Sequence, residues 1–138
     1  MNQTFSERFA QAWREPTPQK LAELLAEDVV LYQPHLPPIR GKAAAVAEFT
    51  RLFEWLPGTF SETRNSRENE ELALIEHVLH FPVGKSYIKV PAVDRFILKD
   101  GLANERVVYF DQIRLISGVI RHPGTWLGFV KYRLGAAR

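Results

Sequence analysis

Residues 84–111 read GKSYIKVPAVDRFILKDGLANERVVYFD, two apolar alternations on either side of Lys99-Asp100-Gly101. An Asp-Gly pair between alternating apolar residues predicts a tight hairpin, because glycine takes positive φ without strain. The first arm carries Asp94 among Val90, Val93, Phe96 and Ile97. Such a carboxylate costs on the order of several kcal/mol to bury unless it is paired or neutralised. The hairpin is therefore expected to form the wall of a pocket that the rest of the chain builds around it.

Working toward the N-terminus, residues 72–81 alternate, with Leu72, Leu74, Glu76, Val78 and His80 on one face and Ala73, Ile75, His77, Leu79 and Phe81 on the other. Residues 68–71 are a polar turn and residues 59–67 a weaker strand. A helix is expected from Lys42 to Trp55, burying Val46, Phe49, Leu52 and Phe53, with Leu56 beyond, and Pro57-Gly58 ends it. Residues 33–41, QPHLPPIRG, are expected to be a stiff loop without regular structure. Val29 to Tyr32 reads as a strand closed by Pro34. Before it stand two helices. Phe5, Phe9, Ala12 and Trp13 mark the first; Thr17, as N-cap to Pro18, opens the second, which is expected to stop near Glu27-Asp28.

Toward the C-terminus, Asp111 is expected to cap a helix from Gln112 to about Val119. Pro123-Gly124 interrupts it before Trp126, Phe129 and Tyr132. Every charged residue after Asp111 is basic: Arg114, Arg121, Lys131, Arg133 and Arg138. A basic segment of this kind solvates a surface helix or touches phosphates or anionic lipid. Helices first and antiparallel strands afterwards make an α+β pattern, in which helices pack on one face of a curved sheet and enclose a cone with one open end.

Composition narrows the function. The 138 residues suit one domain, 1–138, and 46% hydrophobic with 25% charged residues is an ordinary globular balance. No apolar run reaches the roughly 20 residues of a membrane span, and the start MNQTFSER lacks a signal peptide's apolar core, so a cytoplasmic protein is expected. With no cysteine, disulfides, thiolate metal sites and a Cys nucleophile are excluded. A net charge of +2 is too small to argue for nucleic acid. Nor is there a glycine-rich phosphate loop or a G-x-S-x-G elbow. His35 and His122 have no metal-ligand spacing around them, so neither a metal nor another cofactor is expected.

The segments LAELLAEDVVLYQP, LPPIRGKAAAVAEF and GKSY through FILKDGLANERVVYFD resemble, in order and spacing, the nuclear transport factor 2-like, SnoaL-like superfamily. That superfamily includes ketosteroid isomerase, scytalone dehydratase, polyketide cyclases and limonene-1,2-epoxide hydrolase. The resemblance implies the cystatin-like α+β cone: a curved, mixed, mainly antiparallel sheet wrapped round N-terminal helices, with an internal pocket. The nearest local likeness is to limonene epoxide hydrolase, through LPP-x-x-G, GKSY and YFD. Carried over from that enzyme, its catalytic Arg falls on Leu74, its two Asp on Glu76 and Val108, its Tyr on Leu31 and its Asn on Gln33. From ketosteroid isomerase, the base Asp falls on Gln33 and the oxyanion-hole Tyr on Phe9. Its oxyanion-hole Asp, a carboxylic acid kept neutral by an apolar site, falls on Asp94.

The candidate catalytic residues are thus Asp94, Glu76, His80 and Arg106. By alternation Asp94 shares the cone interior with Val90, Ala92, Phe96 and Leu98, and Glu76, His80 and Arg106 are expected to point the same way. Asp94 would act as acid or oxyanion donor, or alternatively pair with Arg106 or Arg95. Gln33, Tyr32, Trp13, Trp55, Phe9, Leu74 and Val108 are the candidate ligand-binding residues. Replacing Asp94 by Asn is expected to abolish turnover and leave the fold intact. The expected activity is that of an isomerase, dehydratase, cyclase or hydrolase acting on a largely apolar small molecule. The alternative is a module of the same fold that binds a ligand or a protein without chemistry. The outer sheet face, with Ile75, His77, Leu79 and Phe81, is expected to hold a homodimer, as the resemblance implies.

Overall fold

Thr4 fixes where the first helix begins. Its hydroxyl accepts from Glu7 N at 3.1 Å while the Glu7 carboxylate accepts from Thr4 N at 2.8 Å, a reciprocal cap at the start of α1 (Phe5–Ala12). The Glu68 carboxylate, from the far end of a strand, accepts Ser6 N at 2.7 Å and Phe5 N at 3.2 Å, and so sits at the positive end of the same helix. Burial pushes Glu68 up, but its hydrogen bonds to Ser6, Phe5 and Thr4 outweigh that and hold its carboxyl below the usual value. The computed structural model describes residues 3–34 and 36–136; the reading of His35 lies outside them.

Thr17 and Pro18 open α2 (Pro18–Ala22) as expected, yet this helix ends well before Glu27-Asp28. Strand β1 (Leu25–Tyr32) takes the intervening residues, because Leu24 O accepts from Ala103 N at 2.8 Å and Leu25 pairs with Ala103. Pairing with a distant strand thus outweighs local helix propensity, which is weak over one or two turns. The proline-rich segment holds a two-residue strand, β2 (Ile39–Arg40), which pairs with β1 where no regular structure was expected. There follow α3 (Lys42–Trp55), β3 (Phe60–Glu68), β4 (Leu72–Val83), β5 (Ser86–Lys99) and β6 (Leu102–Phe110). The chain ends with α4 (Gln112–Ile120), a 3-10 turn (Pro123–Thr125) and α5 (Trp126–Ala136), a helix the sequence pattern did not announce.

The six strands form one sheet in the order β2-β1-β6-β5-β4-β3, parallel between β1 and β6 and antiparallel elsewhere. Register shifts lie between Thr63 and Asn65 in β3 and between Ile97 and Leu98 in β5. An extra residue on one strand bends it, so these positions curve the sheet. The hairpin between β5 and β6 turns at Asp100 (φ 53°) and Gly101 (φ 78°), two consecutive left-handed residues as a two-residue turn of this hand requires. The concave side is filled from α1 and α3, with Phe9, Leu31, Ile75, Val90 and Phe96 at most 2% exposed. Helix α5 seats on α3 where Gly128 meets Trp55. A Cβ at Gly128 would lie 2.5 Å from Trp55 Cδ1, and the indole stacks on Tyr132 with ring centres 5.1 Å apart.

The two faces of β4 are the reverse of the expected assignment. Ala73, Ile75, His77, Leu79 and Phe81 are buried on the concave side, whereas Leu74 and Glu76 face solvent. Residues directly opposite one another in a sheet share a face. Ile75 pairs with Asp94, His77 with Ala92 and Leu79 with Val90, so the inward parity of β5 fixes that of β4. The proposed dimer face of Ile75, His77, Leu79 and Phe81 is consequently interior. The outer surface carries Leu74, Val93 and Tyr109 instead.

Candidate active site

Four inward side chains, one each from β3, β4, β5 and β6, form a line across the concave face. Ser61 Oγ lies 2.7 Å from His77 Nδ1, and His77 Nε2 lies 2.9 Å from Asp94 Oδ1. Arg106 Nε donates to Asp94 Oδ2 at 2.8 Å, with Nη2 standing 2.6 Å from the same oxygen. All four are buried, His77 and Asp94 completely. An ionised carboxylate only accepts. His77 Nε2–H therefore donates to Asp94, while Nδ1 is hydrogen-bonded to the Ser61 hydroxyl. Phe9 stands edge-on to His77, with ring centres 5.3 Å apart, and the Arg106 guanidinium lies 5.9 Å from the Trp13 ring and 5.8 Å from Phe96.

Burial alone would push the Asp94 carboxyl up, but Arg106 and then His77, by charge and by hydrogen bonding, hold it below the usual carboxylate range. Asp94 is thus an ion-paired acceptor here, not the protonated donor that the resemblance to ketosteroid isomerase implies. The sign of the linkage follows. A carboxyl depressed in the folded state contributes stability above its unfolded value of about 3.9, and that contribution is lost as pH falls through the folded value. Glu68 acts in the same direction. Acid unfolding followed by circular dichroism is expected to show stability falling below about pH 4, more steeply than in an Asp94→Asn variant. Equal pH slopes would count against the pairing.

A second polar group faces the first from the helices. Glu48 of α3 is 2% exposed; it accepts from the Tyr132 hydroxyl of α5, and Arg51 Nη2 donates to its Oε2 at 2.7 Å. Burial, then the Glu48 carboxylate, pushes the Tyr132 phenol well above its ordinary value, so it remains a proton donor. Arg106 and Glu48 both line an internal cavity of about 60 Å³, together with Gln33, Trp13, Trp55 and Val108. Leu79, Phe81, Leu115 and Phe129 supply much of its apolar wall, and α4 and α5 cover it through Leu115, Phe129 and Tyr132. Arg106 is the one cation and Glu48 the one anion among these lining residues.

Of the residues singled out by sequence, Arg106, Gln33, Trp13, Trp55 and Val108 meet at the cavity. Asp94 lies directly behind Arg106, and Phe9 behind it packs on His77 and Phe96. Tyr32 is not among the lining residues. Glu76 is exposed opposite Val93, and Leu74 is 41% exposed, both on the outer face. His80 is also on that face; its ring stacks flat on Phe60 with centres 4.4 Å apart, and Nε2 stands 2.8 Å from Glu62 Oε1 without hydrogen-bond alignment. Glu76 and His80 therefore leave the site, because the parity of β4 is opposite to the one expected. His77, Ser61, Glu48 and Tyr132 enter it. Glu48 had a readable signal, since it lies one residue before Phe49 on the face of α3 that the apolar spacing buries. Among the described residues no three His, Cys, Asp or Glu side chains are grouped as a metal ion would need.

A curved mixed sheet closed by helices over an inward arginine–carboxylate pair defines an α+β cone protein with an internal pocket. The chain belongs to the SnoaL-like domain family, whose pattern matches residues 6–106. No curated protein sequence matches it. Among solved structures, it is similar to a protein of ketosteroid isomerase-like fold from Catenulispora acidiphila, crystallised with trimethylamine. The TM-score is 0.74 at 14% identity, over 85% of this chain and 92% of that one. An epoxide hydrolase from M. tuberculosis, likened to limonene epoxide hydrolase, has a TM-score of 0.70 at 18% identity over 89% and 92%. A structure described as a SnoaL-like polyketide cyclase from Jannaschia sp. has 0.69 at 16% over 85% and 95%. At such identities the likeness establishes the fold.

Proposed function

We propose that the chain takes a largely apolar small molecule with one oxygen function into the cavity between Arg106 and Glu48 and performs acid–base chemistry on it. The observation that carries this reading is the single cation and single anion set in an otherwise mainly apolar wall. Convergent polar groups in an apolar pocket are the usual mark of a small-molecule site. Asp94 occupies the Nε edge of the guanidinium, and a guanidinium has five N–H donors, so the Nη1 end is left for a ligand oxygen. Charge developing on that oxygen is met by a cation already held in place. Glu48, held between Tyr132 and Arg51, is the candidate to take a proton from the ligand and return it, as isomerisation, dehydration and cyclisation all require.

The test is solvent-deuterium exchange at the acidic C–H positions of a panel of compact apolar ketones and enones, followed by NMR. Wild type is expected to accelerate exchange for at least one member, and Glu48→Gln to lose about 10²–10⁴ of that acceleration. Limonene oxide is expected to stay unhydrolysed, since Leu74 and Val108 stand where the resemblance places the hydrolase's Arg and one Asp. Binding of a panel member without exchange would favour the second reading, a ligand-binding module without chemistry. The complete pairing of Asp94 with His77 and Arg106 supports that alternative.

A further inference from the structure

Helices α4 and α5 cover the cavity with one side and leave the other bare. On α4, Ile113, Ile116 and Ile120 are 77%, 49% and 61% exposed; on α5, Leu127, Val130 and Leu134 are 68%, 51% and 59% exposed. Both sets have the spacing i, i+3, i+7, which places three side chains in one narrow stripe along a helix. Trp126, half exposed at the start of α5, satisfies its indole N–H on Val119 O at 2.9 Å and presents its ring to solvent. Exposed Arg114, Arg121, Lys131 and Arg133 accompany the stripes, and no acidic residue follows Asp111 anywhere in the sequence.

We propose that α4 and α5 dock the protein on an anionic phospholipid surface, with the two apolar stripes entering the headgroup boundary and the basic side chains meeting lipid phosphates. Exposed apolar stripes accompanied by cations, with a Trp beside them, suit helices that lie in a membrane interface. Helix α4 does so as a helix with one apolar side, and α5 as one that is apolar inward at Phe129 and outward at Leu127, Val130 and Leu134. Charge decides against the other obvious cover. A second copy seated on the same face would set Arg and Lys against Arg and Lys. Lipid phosphates are complementary to that charge, and acyl chains to the stripes. No helix among the described residues is long and apolar enough to cross a membrane, so the contact is one of lying on the surface. Leu115, Phe129 and Tyr132, on the inner side of the same helices, line the cavity, which would place its cover at the lipid surface.

The test is co-sedimentation of the full chain with vesicles of phosphatidylcholine alone or with about 30 mol% phosphatidylserine, where binding is expected to be at least about tenfold stronger with the anionic lipid. Raising salt from about 0.05 to about 0.5 M shortens the screening length and is expected to release the protein. Ile116→Glu with Leu127→Glu, and separately Arg121→Glu with Lys131→Glu, are each expected to lower binding about tenfold or more. All four positions are exposed, so circular dichroism is expected to show the fold unchanged. Absence of binding to either vesicle, or binding unaffected by both pairs, would overturn the proposal. So would a dimer in light scattering that Ile116→Glu dissociates, because the stripes would then be covered by a second copy.

Discussion

Asp94→Asn is expected to remove about 3–5 kcal/mol of folding stability, the loss typical of breaking a buried ion pair by removing one partner. Asparagine preserves the shape of the side chain but not its chemistry. Asp94 accepts from His77 on one oxygen and from Arg106 on the other. An amide has one accepting oxygen, so its NH₂ must face a donor on one side. The Arg106 guanidinium also stays buried without its counter-charge. Urea unfolding measures the loss, with Asp100→Asn at the exposed hairpin turn as a control expected within about 0.5 kcal/mol of wild type. A loss below about 1 kcal/mol for Asp94→Asn would contradict the pairing. The expectation from sequence, lost turnover with an intact fold, treated Asp94 as a pocket residue; its complete burial between two partners makes it a support for Arg106 first.

Asp94→Leu combined with Arg106→Met separates that support from function. Apolar replacement of a whole buried pair is often neutral, so the double variant is expected to regain much of the stability that either single change costs. His77 loses its acceptor, and recovery is expected to fall short by about 1–3 kcal/mol for the stranded N–H. Exchange activity is nonetheless expected to drop about 10²–10³, the loss that accompanies removal of one preorganised donor to a developing oxyanion. A folded double variant with wild-type exchange would remove Arg106 from the chemistry and leave the ion pair a purely structural feature.

How far the site was legible depended on whether one face of each strand was marked. The β5–β6 hairpin was marked twice, by Asp100-Gly101 and by an Asp94 face whose other members are all apolar, and its inward residues are those expected. Strand β4 offered Leu72, Leu74 and Val78 on one face and Ile75, Leu79 and Phe81 on the other, two equally apolar alternations. The expected parity put Glu76 and His80 inside. The register with β5, which no local pattern encodes, puts them outside and brings His77 in. The same holds for the early end of α2, since the competing partner of Leu25 is Ala103, far along the chain. Glu48 was hidden by the habit of reading a charged residue on a helix as solvated. Its partner Tyr132 comes from α5, 84 residues later.

The central claim is that a ligand oxygen meets Arg106 at the cavity wall. The most direct measurement is the side-chain NMR signal of the Arg106 guanidinium, followed while compact apolar ketones and enones are added. A buried Nε–H donating to Asp94 exchanges slowly with water, so its signal is expected to be observed. At least one compound is expected to shift it together with the Trp13 and Trp55 indole signals, and to shift none of them in the double variant that lacks Arg106. Compounds that bind while leaving the Arg106 signal in place would contradict the account.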